Sequence, residues 1–292
     1  MAGFTFGQIV DFLAAPFVAS LILTGIHSYL GVHVVERGVI FVDLSLAQIA
    51  ALGATIAILL PFSGGDPHAP SVYWVSLLFT FIGAAIFSMI RGKKARIPQE
   101  AIIGISYAVA SAASILAMSK STSESEHLKD MLVGNIISVS WHDVTKTALL
   151  YGAIGLFHYL FRKPFLAISL NHDTERVNGL SVRWWDFLFY ASFGFVVTSS
   201  VAIAGVLLVF CYLIVPSVAA MLFADTIGKR LAIGWTMGTI VSALGVYLSV
   251  ILDLPTGATI VCTFGLVLVA MAIVRVLVPR RSPLSLRASR TA

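Results

Sequence analysis

Long apolar runs, separated by short polar segments, divide the chain from end to end. Each run is continuous and about 20 residues long, the length at which an α-helix crosses a bilayer. The runs occupy residues 12–30, 39–61, 72–90, 99–119, 144–161, 185–203, 205–224, 231–251 and 257–278. A closed β-barrel would need shorter, alternating segments. The pattern predicts an all-α integral membrane protein, a polytopic bundle of about nine transmembrane helices in one domain over residues 1–292.

The number of crossings has one weak point, between the runs 185–203 and 205–224. Only the residues "AIAG" separate these two apolar stretches. Eight crossings are therefore the alternative, if one of these runs, or the run at 12–30, does not cross.

The composition supports a membrane protein and narrows its function. A soluble domain carries about 25% charged residues, whereas this chain carries 11% and has a mean hydropathy of +0.95. The bilayer is thus its expected surrounding, and a nucleic-acid partner is not expected. The sequence contains no HExxH, GxSxG or GxxxxGK[ST] motif. A non-catalytic transport role is therefore favoured over a membrane enzyme.

Basic residues gather in alternate connections between the runs. The segments 91–98, 162–183 and 225–230 and the tail 279–292 are basic, whereas 62–71 and 253–257 contain no Lys or Arg. Positively charged connections remain on the cytoplasmic side of a membrane. This pattern places the basic segments in the cytoplasm and the N-terminus outside.

The cytoplasmic segment "LAISLNHDTERVNGLSVRWWD" (166–186) is too polar to span. Asn171 or Asp173 could cap a short helix that Gly179 would end. If the protein moves a substrate with ATP, the ATPase must be another chain, and this segment is the best candidate to dock it. A plain surface loop is the alternative.

One helix carries a regular series of small residues. Gly234, Gly238, Ser242, Gly245 and Ser249 follow one another at spacings of three and four. Such a series lets neighbouring backbones approach closely in a membrane. We expect this face to pack against another helix.

Asp43 is a carboxylate near the start of the run 39–61, with Gln48 five residues later. A charge at bilayer depth is expensive and by default indicates a functional site. Asp43 follows Arg37 by only six residues, so pairing with a basic group or reaching the interface is the structural alternative.

Five segments, in order, resemble the manganese/zinc/iron ABC permease family. They are "IPQEAIIGISYAVASAASILAMS" (97–119), "LKDMLVGNIISVSWHDV" (128–144), the 166–186 segment, "GVLLVFCYLIVPSVAAMLFA" (205–224) and "GVYLSVILDLPTGATIV" (245–261). The resemblance implies the permease of a bacterial ABC importer, a multi-pass protein of the inner membrane. Its cargo would be Zn, Mn or Fe ions, moved by alternating access. The alternatives are a permease for a metal chelate or another small solute, and a stand-alone secondary transporter.

The resemblance also implies the partners. The permease would be a homodimer, with an extracytoplasmic solute-binding protein on one side and a cytoplasmic ATPase on the other. The ATPase would dock on a helix over 173–179, through Asp173, Glu175, Arg176 and Gly179. ATP and magnesium would bind the ATPase, so this chain would hold no cofactor and catalyse nothing.

In the family, the helix that contains Asp43 carries a histidine four residues after the aspartate. Here that position is Ala47, and by its distance from Gly53 it is Gln48 that takes the histidine's place. Asp43, Ser45 and Gln48 are the expected pathway residues, and Asp43 and Gln48 are the candidate metal ligands. A spacing of five turns Gln48 about 140° away on a regular helix. Either a π-bulge brings Gln48 back beside Asp43, or the pair does not exist.

Overall fold

The computed structural model describes residues 6–63, 66, 69–90, 97–119, 136–171, 176–177 and 179–278. The helices are α1 (Phe6–Arg37), α2 (Val42–Leu59), α3 (Pro70–Ile90), α4 (Gln99–Met118), α5 (Trp141–Leu160), α6 (Arg162–Leu170), α7 (Val182–Phe223), α8 (Ile227–Leu252) and α9 (Thr256–Leu277). Two short strands, β1 (Arg176–Val177) and β2 (Leu180–Ser181), pair antiparallel. The main apolar core is built around α1, α2 and α7. The helices satisfy their own backbone hydrogen bonds, which lipid cannot do.

Both ends of α7 lie at the same end of the bundle. Near its start, Asp186 forms an ion pair with Arg37, the last residue of α1. Just after its end, Ala224 accepts a hydrogen bond from Arg230, which is itself paired with Glu36. The two halves of α7 therefore run in opposite directions and cross the bundle twice. We refer to this side of the molecule as the Arg37 end.

The reversal within α7 occurs at Gly205. Its backbone has φ +74° and ψ 160°, whereas the residues on either side are helical. A positive φ costs glycine little because it has no Cβ. The residues "AIAG" thus contain a true break, and the runs 185–203 and 205–224 form separate segments as predicted.

Seven helices within the described ranges are long and apolar enough to cross a membrane, with α7 counted once. Helix α5 is not among the seven, but it follows α1 along the bundle. Val144 packs against Ala15 and Ala19, and the ring of His158 contacts the ring of Tyr29. With α7 counted as two and α5 included, the described residues form nine long segments that correspond to the nine predicted runs.

The small residues of α8 form a buried face, as the sequence predicted. All five are buried, and α8 packs against both α1 and α9. A Cβ at Gly238 would overlap Thr24 of α1, and one at Gly245 would overlap Ile260 of α9. The absence of side chains at these positions is what allows the three helices to pack closely.

The predicted helix over 173–179 is wrong where the structure describes it. Arg176 and Val177 form β1, which pairs antiparallel with Leu180 and Ser181 of β2, and Gly179 lies in the turn before β2. Gly179 has φ +80°. The sequence at this turn is Asn-Gly, the pair that a tight hairpin favours, so the local turn preference decides the structure.

The helix of this segment comes earlier than predicted, as α6. Asn171 follows α6 and donates a hydrogen bond to the carbonyl of Ala167 at 2.7 Å, so it closes this helix and does not begin the next one. Asp173 and Glu175 lie outside the described residues, as does the tail 279–292.

Gly31 allows a close approach between α1 and the second half of α7. A Cβ there would overlap the carbonyl oxygen of Leu213 and the hydroxyl of Ser217. We expect Gly31→Ala to lower the thermal midpoint of the purified protein in detergent, because overpacking against backbone costs about 1–3 kcal/mol.

Gly25→Ala is the matched control on the same helix, since no described atom lies within 4 Å of a Cβ placed there. Alanine at this position should leave the midpoint unchanged or raise it, because it favours helix over glycine by about 1 kcal/mol. Equal midpoints for the two variants would contradict the tight packing at Gly31.

Candidate functional site

The start of α2 brings the predicted pathway residues into the interior. Helix α1 ends at Arg37, Gly38 turns the chain with φ +66°, and α2 begins at Val42. Asp43 therefore lies in the first turn of α2, where the helix dipole favours a negative charge. Asp43, Ser45 and Gln48 are 2%, 0% and 7% exposed, so all three lie inside the protein.

Asp43 and Gln48 do not share one face of α2. The helix is a regular α-helix from Val42 to Leu59, without a π-bulge in that range. Five residues of regular helix rotate the second side chain by about 140°. Both remain buried because α3, α4 and α7 surround α2. Of the two alternatives left open by the sequence, the structure shows the one without an Asp43–Gln48 pair.

Among the described residues, Asp43 has no ion pair with the basic partner that a purely structural role suggested. The nearby cation, Arg37, is ion-paired with Asp186 at 2.5 Å. The Asp43 carboxylate instead interacts with the backbone amide of Leu44, and its Oδ1 atom has no hydrogen-bond partner among the described residues. A buried carboxylate oxygen without a partner is costly, and such a group can be stabilised by binding a cation.

A second carboxylate, Glu100, lies close to Asp43. It stands in the first turn of α4, and its Oε1 atom accepts a hydrogen bond from the backbone amide of Phe41 at 3.0 Å. The two carboxylates interact electrostatically, and the Oε2 atom of Glu100 has no partner within the described part of the chain. Two interacting acidic groups, each with an oxygen that has no partner in the described residues, form an environment that favours a cation.

Sequence reasoning did not identify Glu100 as a site residue. It is separated from Phe41 by 59 positions, so no local spacing links them. The available signal was an acidic residue in the first turn of an apolar helix, the same signal that drew attention to Asp43.

The acidic pair is not a complete metal cage. No three His, Cys, Asp or Glu side chains of the described residues are grouped so that they could hold a metal ion. A transport pathway needs weak binding, since an ion held by a full set of ligands would not leave. A pair of oxygen ligands is therefore more typical of a transient ion-binding site than of a permanent metal site.

The buried histidines lie elsewhere, and one ring nitrogen of each has a hydrogen-bond partner, whereas the other has none among the described residues. His27 contacts the carbonyl of Leu23, His33 contacts the hydroxyl of Ser169 and His158 contacts the hydroxyl of Ser192, each at 2.8 Å. These contacts connect α1, α5, α6 and α7, and they are the contacts expected of core histidines.

The second candidate site lies at the Arg37 end. Helix α6 buries Phe165, Ile168 and Ser169 against the bundle and exposes Arg162 and Lys163. The hairpin follows it, with Gly179 exposed at the turn. Together, α6 and the hairpin present a basic surface beside the bundle. We call them the cytoplasmic module, after the side of the membrane that the distribution of basic residues predicts for them.

Comparison with known proteins shows the family. A model of the family described as "ABC 3 transport family" matches residues 9–275. The chain belongs to that family. It is a multi-pass protein of the bacterial inner membrane, and its family is one of ABC transporters, which use partner ATPases and solute-binding proteins.

Relatives and a solved structure support the assignment. The chain is 24% identical over 258 residues to the manganese transport system membrane protein MntC of Listeria monocytogenes, covering 86% of each chain. It is 24% identical over 251 residues to the chelated iron transport system membrane protein YfeC of Yersinia pestis, covering 86% of this chain and 82% of YfeC. PsaBC from Streptococcus pneumoniae, solved with a Fab, matches with a TM-score of 0.74 and 21% identity, over 91% of this chain and 95% of that one. The predicted helical permease fold is thus confirmed.

We expect Glu100→Gln to fold normally but to lower transport by the ABC complex about tenfold, a loss of the size of one charge-assisted contact. Glutamine retains an oxygen that can accept the hydrogen bond from Phe41, but it removes the second negative charge beside Asp43. Transport into vesicles and the thermal midpoint of the same preparation are the measurements.

Glu100→Ala tests the second role of Glu100, which is to hold the start of α2 through the Phe41 amide. It removes the acceptor and should lower the thermal midpoint as well as transport. Wild-type transport by Glu100→Gln would show that Glu100 only holds the start of α2 and that its charge has no role.

Proposed function

We propose that this chain is the permease of an ATP-driven importer of divalent metal ions, working by alternating access. The observation that carries the proposal is Asp43, which is buried, has no ion pair among the described residues and interacts electrostatically with Glu100. The named relatives, which transport manganese and chelated iron, support the cargo class. The permease itself catalyses no reaction and binds no cofactor, and ATP and magnesium bind the partner ATPase.

The donor atoms at the start of α2 favour hard ions among Zn, Mn and Fe. Asp43 and Glu100 offer carboxylate oxygens, the amide of Gln48 lies on another face of α2, and the thiol of Cys211 also interacts electrostatically with Asp43. Carboxylate and carbonyl oxygens suit manganese, whereas imidazole and thiolate suit zinc. With glutamine in place of the family histidine, we expect manganese to be transported in preference to zinc.

The two proposed partners bind at opposite ends of the bundle. The cytoplasmic module, with Arg162, Lys163 and Gly179 exposed, is the surface on which we propose that the ATPase docks. The solute-binding protein would deliver the ion at the opposite end, and two permeases would form the path between them. Asp173, Glu175 and Arg176 would contribute to docking from the hairpin segment.

A permease for a metal chelate is the second candidate. The relative named for chelated iron favours it. The alanine-rich series of α2 was the signal in the sequence, but three of its four residues are buried by packing. The series is Ala47, Ala50, Ala51 and Ala54. A stand-alone secondary transporter is disfavoured by membership of an ABC family.

The cargo is tested by uptake of Mn²⁺, Zn²⁺ and Fe²⁺, each in free form and as a chelate, into cells with and without the gene. We expect the gene to restore free Mn²⁺ uptake most strongly. Asp43→Asn should reduce this uptake at least tenfold while the permease still assembles with its ATPase, because the amide keeps the shape but not the charge.

Asp253→Asn is the control, since it removes one carboxylate at an exposed position just after α8 and asparagine tolerates the left-handed backbone there. Undiminished uptake by Asp43→Asn would assign Asp43 a structural role. Uptake of the chelate alone would establish the second candidate.

Docking of the ATPase is tested at Gly179. We expect Gly179→Val to abolish co-purification of the ATPase, because a β-branched residue at φ +80° is strained and the turn must rearrange. Gly228→Val is the control, an exposed glycine in the first turn of α8 without a positive φ. Normal ATPase association in Gly179→Val would refute docking at the hairpin.

A further inference from the structure

Three segments meet at one buried cation near the Arg37 end. The Nε atom of Arg37 donates to the hydroxyl of Ser169 in α6 at 2.9 Å, and its Nη1 atom donates to Asp186 in α7 at 2.5 Å. The Arg37 and Asp186 side chains are 1% and 0% exposed. The guanidinium also lies 3.9 Å from the centre of the Phe189 ring. We call Arg37, Ser169 and Asp186 the arginine clamp.

The hydroxyl of Ser169 has a second contact, with the Nδ1 atom of His33 at 2.8 Å. Because the hydroxyl accepts the hydrogen bond from Arg37, its own hydrogen is available to donate to His33. Helix α6 is therefore held to two successive turns at the end of α1 by one side chain. Loss of this hydroxyl would remove a hydrogen-bond partner from both His33 and Arg37 of α1.

Stability alone is a poor explanation of a buried ion pair. Taking both charges out of water is costly, and an apolar pair of similar volume often serves stability as well or better. What an arginine provides that an apolar side chain lacks is a set of directed contacts to two partners at fixed angles. The clamp thus fixes the relative position of α1, α6 and the start of α7.

The clamp joins the cytoplasmic module, through Ser169 of α6, to the end of α1 that leads into α2. Ser169 is seven residues before β1, and Asp186 is five residues after β2, so both flanks of the hairpin end at Arg37. On the other side, Asp43 follows Arg37 by six residues, across the left-handed turn at Gly38. A displacement of the hairpin that moved Ser169 and Asp186 would move the connection into α2.

We propose that the arginine clamp is a positioning device that transmits movement of the cytoplasmic module to Asp43 and Glu100. The proposal rests on the proposed ATPase docking at that module. The clamp residues contact neither the cargo nor ATP. Their effect is on the coupling of ATP hydrolysis to transport, through the turn that carries Asp43 and the Phe41 amide bound to Glu100.

The decisive variant replaces both charges, Arg37→Met with Asp186→Leu, so that no unpaired charge remains buried. It is studied in the reconstituted complex of permease, ATPase and solute-binding protein, with Mn²⁺ and Zn²⁺ as probes. We expect the variant to fold, to retain the ATPase and to hydrolyse ATP at the basal rate. Ions moved per ATP should fall about two- to thirtyfold, the range over which residues of a coupling element change it.

Ser169→Ala is the gentler variant and should lower the same ratio, because it detaches α6 from Arg37 and His33. Ser242→Ala is its matched control, a buried serine of α8 that donates to the hydroxyl of Tyr212 on α7, away from the clamp. We expect the ratio to be unchanged in this control. An unchanged ratio in both clamp variants would overturn the proposal, and so would a fall in stability and ATPase binding in proportion to the fall in transport.

The clamp and the proposed cargo fail in distinguishable ways. If the wild-type complex moves neither ion, the cargo assignment is wrong. The clamp is then measured by the stimulation of ATP hydrolysis by the solute-binding protein, which reports coupling whatever the cargo. Loss of that stimulation in the clamp variants, with basal hydrolysis intact, supports the proposal, and full stimulation overturns it.

Discussion

The absence of hydrogen-bonding partners in lipid is the constraint on which the whole structure depends. Every backbone amide and carbonyl at bilayer depth must bond within its own helix or be buried in protein. The chain meets this condition with long helices and with a reversal in α7 that occupies one glycine. The same condition confines polar side chains to the interior, which is why Asp43 and the arginine clamp are buried, with Glu100 partly buried beside Asp43.

Within this constraint, the two polar clusters have opposite character. The arginine clamp has its opposite charges paired across α1 and α7, with only Nη2 of Arg37 lacking a partner among its described contacts. The acidic pair has two unpartnered oxygens and no ion pair in the described chain. The clamp is therefore stable without a ligand, and the acidic pair is better satisfied with one. The arginine clamp is thus suited to holding helices together, and the acidic pair is suited to binding an ion transiently.

The sequence predicted the helices well because lipid leaves few alternatives to a continuous apolar run. It also predicted the buried small-residue face of α8, because glycines such as Gly238 and Gly245, at helical spacing, allow a neighbouring helix to pack closely. The prediction of a helix over 173–179 was wrong. It relied on possible capping residues at the ends of the segment and did not consider the Asn-Gly pair, which favours a tight turn. Local turn chemistry was stronger than the spacing of Asp173, Glu175 and Gly179.

The site was only partly accessible to sequence reasoning. Asp43 could be found because a carboxylate in an apolar run is conspicuous, but the placement of Gln48 relative to it depended on whether α2 contained a bulge. Glu100 and Asp186 could not be linked to their partners, since their contacts join positions 59 and 149 residues apart. Such contacts come from the tertiary arrangement, which no local pattern contains.

The single-residue reversal at Gly205 leaves the two halves of α7 without slack. A longer loop would let the halves slide past each other, whereas one residue ties their adjoining ends at a fixed separation. The two halves of α7 are therefore tied together at Gly205, and α7 contacts α1, α2, α3 and α9. A displacement of Asp186 at the start of α7 would thus reach the helices that pack on both halves.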